Sequence, residues 1–107
     1  MSFNVIVTTG FKKQAKIIGK KHRSLISDML ALIVSLEQDP TQGEPLGQDC
    51  YKVRMAIASK KKGKSGGARV ITCVKVVDEH VYLLTIYDKS EKESISDKEL
   101  DALLEFI

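Results

Sequence analysis

Basic side chains recur at positions from which they could act together on a phosphodiester. Lys52 and Arg54 stand two residues apart in an extended run, so both lie on one face, roughly 7 Å apart at about 3.3 Å per residue. Arg69 begins the next strand-like run, and Lys89 closes the third. Guanidinium groups bind phosphate oxygens in pairs and can stabilise the extra charge of a pentacoordinate transition state. These residues predict a surface that binds, and could cleave, a phosphodiester.

A run of cations between the first two strands extends this surface. The segment from Lys52 to Arg69 holds seven basic and no acidic residues. A sheet face rich in Lys and Arg is commonly just solvated, but solvated faces mix charge signs and this segment does not. Clustering also lowers the pKa of a lysine toward a value useful for proton transfer. The loop lysines expected to bind the phosphodiester here are Lys60, Lys61, Lys62 and Lys64.

Charge is unevenly distributed along the 107 residues, whose net charge is only +3. Residues 1–36 hold six basic residues and one acid, whereas nine of the fourteen acids follow position 77. The length predicts a single domain over residues 1–107. No apolar run approaches the roughly 18 residues of a membrane span, and the first residues lack a signal-peptide layout, so we expect a cytoplasmic protein.

Other kinds of site find little support in the sequence. The run Ala58–Ser65 (ASKKKGKS) loosely fits a phosphate loop, but glycines and β-branched residues follow where that loop needs a helix. The acids form no strand-borne cluster, so neither a metal nor a cofactor is predicted. Cys50 and Cys73 lack CxxC spacing and predict two buried thiols. Tyr87, an aromatic among cations, either contacts the nucleic acid or simply packs.

The spacing of hydrophobic residues predicts the helices that must support these side chains. A helix capped by Thr8 or Thr9 is expected after a short strand over residues 3–7, and a second helix is expected after a cap at Ser24. Ser96 and Glu99 have the spacing of a capping box for a short last helix.

The alternation of apolar and polar residues predicts the strands. Runs over residues 51–59, 69–77 and 81–87 are joined by short connections, which favour an antiparallel meander. Prolines and glycines between positions 40 and 47 mark a loop. The order predicts an α+β fold, with an antiparallel β-sheet, two N-terminal helices packed on one face and a short C-terminal helix.

Three segments of the chain are similar to a known family. They are Tyr51–Arg54 (YKVR), the run from Lys62 to Ile71 (KGKSGGARVI) and the run from Val81 to Lys89 (VYLLTIYDK). With the order of elements, they resemble the RelE/ParE superfamily of bacterial type II toxin–antitoxin toxins, especially its RelE-like HigB branch. The resemblance implies a RelE-like fold, a cognate antitoxin as partner and no cofactor.

The resemblance also implies an activity for this surface. RelE-type toxins cut messenger RNA in the ribosomal A site without a metal, using the RNA's own 2′-hydroxyl as nucleophile. By motif, Lys52 and Arg54 match the strand pair that contacts phosphate and includes a proposed base, while Arg69 matches the transition-state arginine. Lys89 matches a basic residue near the leaving oxygen.

The resemblance also implies roles for the loop lysines and for the group that accepts the proton. Lys62 and Lys64 would contact phosphates from the loop that distinguishes the HigB branch. Because the guanidinium of Arg54 stays charged, the base role falls to Lys52 or a loop lysine. Ile95 stands where RelE carries a tyrosine, and Tyr87 is the candidate substitute. Two alternatives stay open, a ParE-like DNA gyrase inhibitor and an RNA-binding domain without catalysis.

Overall fold

A computed structural model describes residues 2–107 as three α-helices and five β-strands. The elements are β1 (Asn4–Val7), α1 (Thr9–Lys21), α2 (Leu25–Gln38), β2 (Glu44–Gly47), β3 (Cys50–Met55), β4 (Ala68–Lys75), β5 (His80–Asp88) and α3 (Asp97–Leu104), with short 3-10 turns at Ala58–Lys60 and Lys64–Gly66. The predicted α+β class is confirmed, and β2 is an additional strand.

The strands form one mixed sheet in the order β1-β5-β4-β3-β2. The pairings among β2, β3, β4 and β5 are antiparallel, as the meander predicts, whereas β1 lies parallel to β5. Connectivity explains the parallel pairing, because β1 leads into the α1–α2 hairpin before the chain returns to the sheet. The sequence predicted an antiparallel sheet, and this prediction is wrong for the pairing of β1 with β5.

The segment expected to be a loop contains edge strand β2. Glu44 pairs with Lys52 on β3, and a two-residue turn at Gln48 and Asp49 joins the strands. Both turn residues adopt left-handed backbone conformations, with φ of 55° and 63°, as the tightest hairpins require. Pro45 is compatible with this position because an edge strand does not need a donor on its outer side.

Helices cover both faces of the sheet. The face under α1 and α2 buries aliphatic and aromatic side chains that include Phe11, Leu25, Leu36, Val53, Val70, Val81, Leu83 and Ile86. The face under α3 buries Cys50, Ile71, Cys73, Leu84 and Leu100. Part of the apolar surface of α2 stays outside the core, since Ile26 and Leu30 are exposed. The cleft described below opens on the part of the second face that α3 leaves uncovered.

The helix starts follow the predicted capping signals at two of three positions. The Thr8 hydroxyl accepts a hydrogen bond from Phe11 N at 3.2 Å, and Ser96 and Glu99 form the predicted capping box. Ser24 precedes α2, but its hydroxyl caps no helix amide and instead donates to the Asp28 carboxylate at 2.8 Å. Its role is to hold a neighbouring loop, described below.

A bulge in β5 sets which side chains face the second surface. Ile71 pairs with Thr85, yet Thr72 pairs with Leu83, so Leu84 is an extra residue on β5. Because side chains alternate along a strand, the extra residue places Tyr87 rather than Asp88 on the face shared with Arg69.

Candidate nucleic-acid interface

A cleft of about 520 Å³ opens on the second sheet face beyond α3. Five sequence-predicted cations line it, namely Lys52, Arg54, Lys64, Arg69 and Lys89. The other lining residues are Gln42, Gly43, Glu44, Val53 and Glu93. The structure therefore brings together residues from two strands, one loop and the end of a third strand, as the strand pattern predicted.

Two guanidinium-bearing residues face each other across the cleft floor. Arg54 on β3 pairs directly with Arg69 on β4. The hydrogen bond from Val74 N to Asp49 O fixes the alternation of the ladder, which makes this a non-hydrogen-bonded pair with Cα atoms about 4.5 Å apart. Like charges directly opposite each other destabilise a sheet, and a bound anion would relieve that repulsion. This pair is the strongest structural indication of a phosphate site.

Arg69 is buried and holds the loop that forms one wall of the cleft. Its residue is 4% exposed. The guanidinium donates to the carbonyl oxygens of Lys64 at 2.9 Å, Ala68 at 3.1 Å and Ser65 at 3.3 Å. Carbonyl dipoles, rather than a carboxylate, surround the charge in the part of the chain described. Arg69 thus keeps its full positive charge and also fixes the backbone of Lys64.

An ion pair on the cleft wall was not predicted from the sequence. The Nζ atom of Lys52 lies 3.1 Å from Oε2 of Glu44, and the Lys52 side chain is only 18% exposed. Glu44 was missed because its segment was expected to be a loop. The turn at Gln48 and Asp49 was the one available signal for a hairpin. No sequence pattern indicated that Glu93 would be the second carboxylate of the cleft.

The loop lysines do not all join the cleft. Lys60 was expected to bind RNA, but its Nζ atom lies 2.9 Å from Oδ1 of Asp88 in an ion pair whose two side chains are 9% and 8% exposed. Lys61 and Lys62 are exposed and lie outside the cleft lining. Only Lys64 of the four lines it. The expectation that all four lysines converge with the strand cations is therefore wrong. Lys61 and Lys62 lie outside the cleft lining, and Lys60 pairs with a carboxylate 28 residues away.

Asp88 is the centre of a buried polar cluster beneath the loop. Its carboxylate also lies 3.2 Å from Nε2 of His22 and accepts hydrogen bonds from the amide and hydroxyl of Ser90. Burial would raise the pKa of Asp88, but the hydrogen bonds from Lys60 and Ser90 outweigh it and hold that pKa well below its usual range. The carboxylate stays charged and anchors the loop to the end of β5.

The other side of the loop is fixed to the start of α2. Ser59 N donates to the Ser24 hydroxyl at 2.8 Å, and Ala58 N donates to Oδ2 of Asp28 at 3.0 Å. At the far end, Gly67 packs so closely on β3 that an added Cβ would lie 2.1 Å from the carbonyl oxygen of Met55. The loop is therefore anchored at both ends, with its lysines exposed between them.

Tyr87 lies beside the cleft rather than in it. It pairs with Arg69 across β4 and β5, and its ring borders an adjacent groove under α3. Its hydroxyl is buried, and no group within residues 2–107 forms a hydrogen bond with it. Burial raises the pKa of Tyr87, and the nearby Arg69 charge only partly opposes this. The phenol is therefore protonated near neutral pH and can donate a proton or a hydrogen bond.

The two cysteines lie outside the cleft lining. Cys50 and Cys73 are buried free thiols, as predicted, and pair directly across β3 and β4. Burial and the neighbouring Cys73 raise the pKa of Cys50 to about 12. Within the described chain, no three His, Cys, Asp or Glu side chains are grouped so as to hold a metal ion. None of the helices described has the length and apolar character needed to cross a membrane.

Comparison with known proteins identifies the fold and the family. A family model described as the RelE toxin of the RelE/RelB toxin–antitoxin system matches residues 5–106. An E. coli RelE toxin with two arginines replaced by alanine, solved in the free state, is 18% identical, with 87% of this chain and 90% of that chain covered and a TM-score of 0.63.

Two further solved structures are toxin–antitoxin complexes. The RelBE2 complex from Mycobacterium tuberculosis contains a chain 16% identical to this one, covering 82% of this chain and 92% of that chain with a TM-score of 0.63. In the intact E. coli RelBE complex the identity is 16%, the coverages are 81% and 96%, and the TM-score is 0.62. These likenesses show the fold, while the family model spans nearly all of the sequence. The chain therefore belongs to the RelE family of toxins from RelE/RelB toxin–antitoxin systems.

Proposed function

We propose that this toxin inhibits translation by cutting messenger RNA on the ribosome, with the RNA's 2′-hydroxyl as nucleophile and no metal ion. The observation that carries the proposal is the facing pair of Arg54 and Arg69 on the floor of a cationic cleft. A phosphate held between two guanidinium groups gains charge as it becomes pentacoordinate, and both groups then bind it more strongly. A protein that only inhibits DNA gyrase has no need of this arrangement.

Four of the five cations of the cleft have distinct parts in this proposal, and Lys52 is considered in the next subsection. Arg54, which is exposed, binds the scissile phosphate, while buried Arg69 supplies fixed positive charge from below. Lys89 follows the last strand and lies near the leaving oxygen. Lys64 contacts a neighbouring phosphate, and exposed Lys61 and Lys62 extend the contact along the RNA. Tyr87 orients a base or phosphate from the adjacent groove.

The proposal includes partners and a location. A cognate antitoxin would neutralise the toxin, in line with the two similar structures that are toxin–antitoxin complexes. Action on translating ribosomes places the protein in the cytoplasm. The similarity of the run from Lys62 to Ile71 to the HigB branch supports membership of that branch.

Arg54→Ala is the most informative substitution, because Arg69→Ala would also release the loop carbonyls. Wild-type toxin is induced in cells and the 5′ ends of translated messages are mapped. We expect cuts within translated codons, and a loss of about 10²–10³-fold in cleavage for the variant, as for removal of one donor to the reacting phosphate. Lys75→Ala is the matched control, since it removes a cation from the neighbouring strand β4, about 20 Å along that strand from Arg69.

Three results would count against the proposal. Growth arrest with a DNA-damage response and intact messages would indicate gyrase as the target. Cuts of equal frequency in untranslated RNA would remove the ribosome from the mechanism. Full cleavage by Arg54→Ala would show that the cleft is not where the phosphate reacts.

A further inference from the structure

The cleft must contain a group that removes a proton from the attacking 2′-hydroxyl. Its cations are lysines and arginines, which ordinarily carry a proton at neutral pH, and arginine does not release it. Among the residues lining the cleft, the carboxylates Glu44 and Glu93 are the side chains ordinarily free to accept a proton. A carboxylate also weakens the attraction of the cleft for RNA. Its presence among five cations therefore calls for a positive role.

The two carboxylates differ in how firmly they are held. Glu44 belongs to β2 and pairs in register with Lys52, and its Oε2 atom lies 3.1 Å from the Lys52 ammonium. Its Oε1 atom forms no ion pair or hydrogen bond with the rest of residues 2–107, and the side chain is 62% exposed. Glu93 lies in the connection between β5 and α3, outside any regular element. A catalytic base needs a fixed position, which favours Glu44.

The position of Glu44 relative to the phosphate site follows from the strands. Lys52 and Arg54 share one face of β3 and are about 7 Å apart. A phosphate bound between Arg54 and Arg69 therefore lies within one nucleotide's reach of the Glu44–Lys52 pair. The attacking 2′-hydroxyl belongs to the ribose joined to that phosphate, so its base must be a side chain of the same cleft, and Glu44 lines this cleft with both arginines.

We propose that Glu44 is the general base of the RNA cleavage and that Lys52 is its positioning residue, an assignment that rests on the proposed function. The free Glu44 oxygen accepts the 2′-hydroxyl proton as the 2′-oxygen bonds to phosphorus. The bond from phosphorus to the 5′-oxygen breaks, and that oxygen takes a proton from the Lys89 ammonium or from water. The products are a 2′,3′-cyclic phosphate and a 5′-hydroxyl, and the proton on Glu44 returns to solvent.

The test is single-turnover cleavage of messenger RNA on programmed ribosomes by the purified full-length Glu44→Gln variant. Glutamine keeps the size of the side chain but cannot accept the proton. We expect the maximal rate to fall about 10²–10⁴-fold, the usual contribution of a general base. The half-saturating toxin concentration should fall as well, because a negative charge leaves the cleft. The decline of the rate toward acid pH should also disappear.

Glu105→Gln is the matched control, since it makes the same charge change at an exposed position outside the cleft lining. It should leave the half-saturating concentration, the maximal rate and its pH dependence unchanged. Far-UV circular dichroism checks that both variants retain the fold.

Each remaining outcome decides against the assignment. A Glu44→Gln variant as fast as wild type, or faster, would mean that the carboxylate only repels RNA. A slow variant with the wild-type pH profile would mean that Glu44 only supports Lys52. Cleavage lost equally in the Glu105 variant would point to an effect of net charge rather than of a base in the cleft. If wild-type toxin leaves ribosome-bound messages intact, the proposed function fails and the base assignment fails with it.

Discussion

The buried ion pair between Lys60 and Asp88 should contribute strongly to stability, and Lys60→Met tests this. Methionine fills a similar volume but leaves the Asp88 carboxylate, 8% exposed, without its ammonium partner. Breaking one side of a buried pair typically costs 3–5 kcal/mol, and the remaining hydrogen bonds from Ser90 place the expected loss near the lower value, about 3 kcal/mol. At about 4 °C per kcal/mol for a domain of this size, the melting temperature should fall by about 12 °C.

The pH dependence gives the prediction a second, independent readout. The folded protein holds the Asp88 pKa well below its unfolded value of about 3.9, so its stabilising contribution is present above that pH and is lost on acidification. Without Lys60 the Asp88 pKa should rise toward its ordinary value. The variant then loses less stability than wild type between pH 5 and pH 3, and the difference between the two proteins narrows.

Urea unfolding followed by far-UV circular dichroism at both pH values measures these differences. Lys61→Met is the matched control, because Lys61 is exposed and should change the free energy of unfolding by less than about 0.5 kcal/mol. A Lys60→Met variant within 1 kcal/mol of wild type, or a difference that stays constant with pH, would refute the reasoning.

Two other predictions concern the loop and the thiols. Gly67→Ala should lower the melting temperature and detach the loop from β3, since a Cβ would lie 2.1 Å from the carbonyl oxygen of Met55; limited proteolysis would show new cleavage near residue 62, and an unchanged digest would contradict it. Because burial raises the pKa of the Cys50 thiol to about 12, the reactive thiolate is scarce at pH 8, and Cys50 should resist Ellman's reagent until urea unfolds the protein; rapid labelling of the native protein would contradict this.

Local patterns predicted the parts of the fold that depend on near neighbours in sequence. The alternation from Tyr51 to Met55 placed Lys52 and Arg54 on one face, and the spacing of Ser96 and Glu99 predicted the start of α3. The parallel pairing of β1 could not be predicted, because it depends on where a long helical connection returns the chain.

The candidate site shows the same division between local and distant effects. The segment from Lys52 to Arg69 contains no acid, yet Asp88 approaches from β5 and neutralises Lys60. Glu44 reaches Lys52 only because β2 and β3 form a hairpin. The proline and glycines of this segment had instead predicted a loop. Charge along the sequence therefore indicated which segment supplies most of the cations of the cleft, whereas the partner of each charge could be found only from the tertiary structure.

The bulge at Leu84 lets β5 lose one residue without changing which side chains face the cleft. Thr72 pairs with Leu83 and Ile71 pairs with Thr85, so deleting Leu84 would leave one continuous register in which Tyr87 still lies opposite Arg69. The deletion would instead remove a side chain that is 2% exposed in the core under α3. In-frame loss of this codon should therefore lower the stability of the toxin while the arrangement of its cleft is kept.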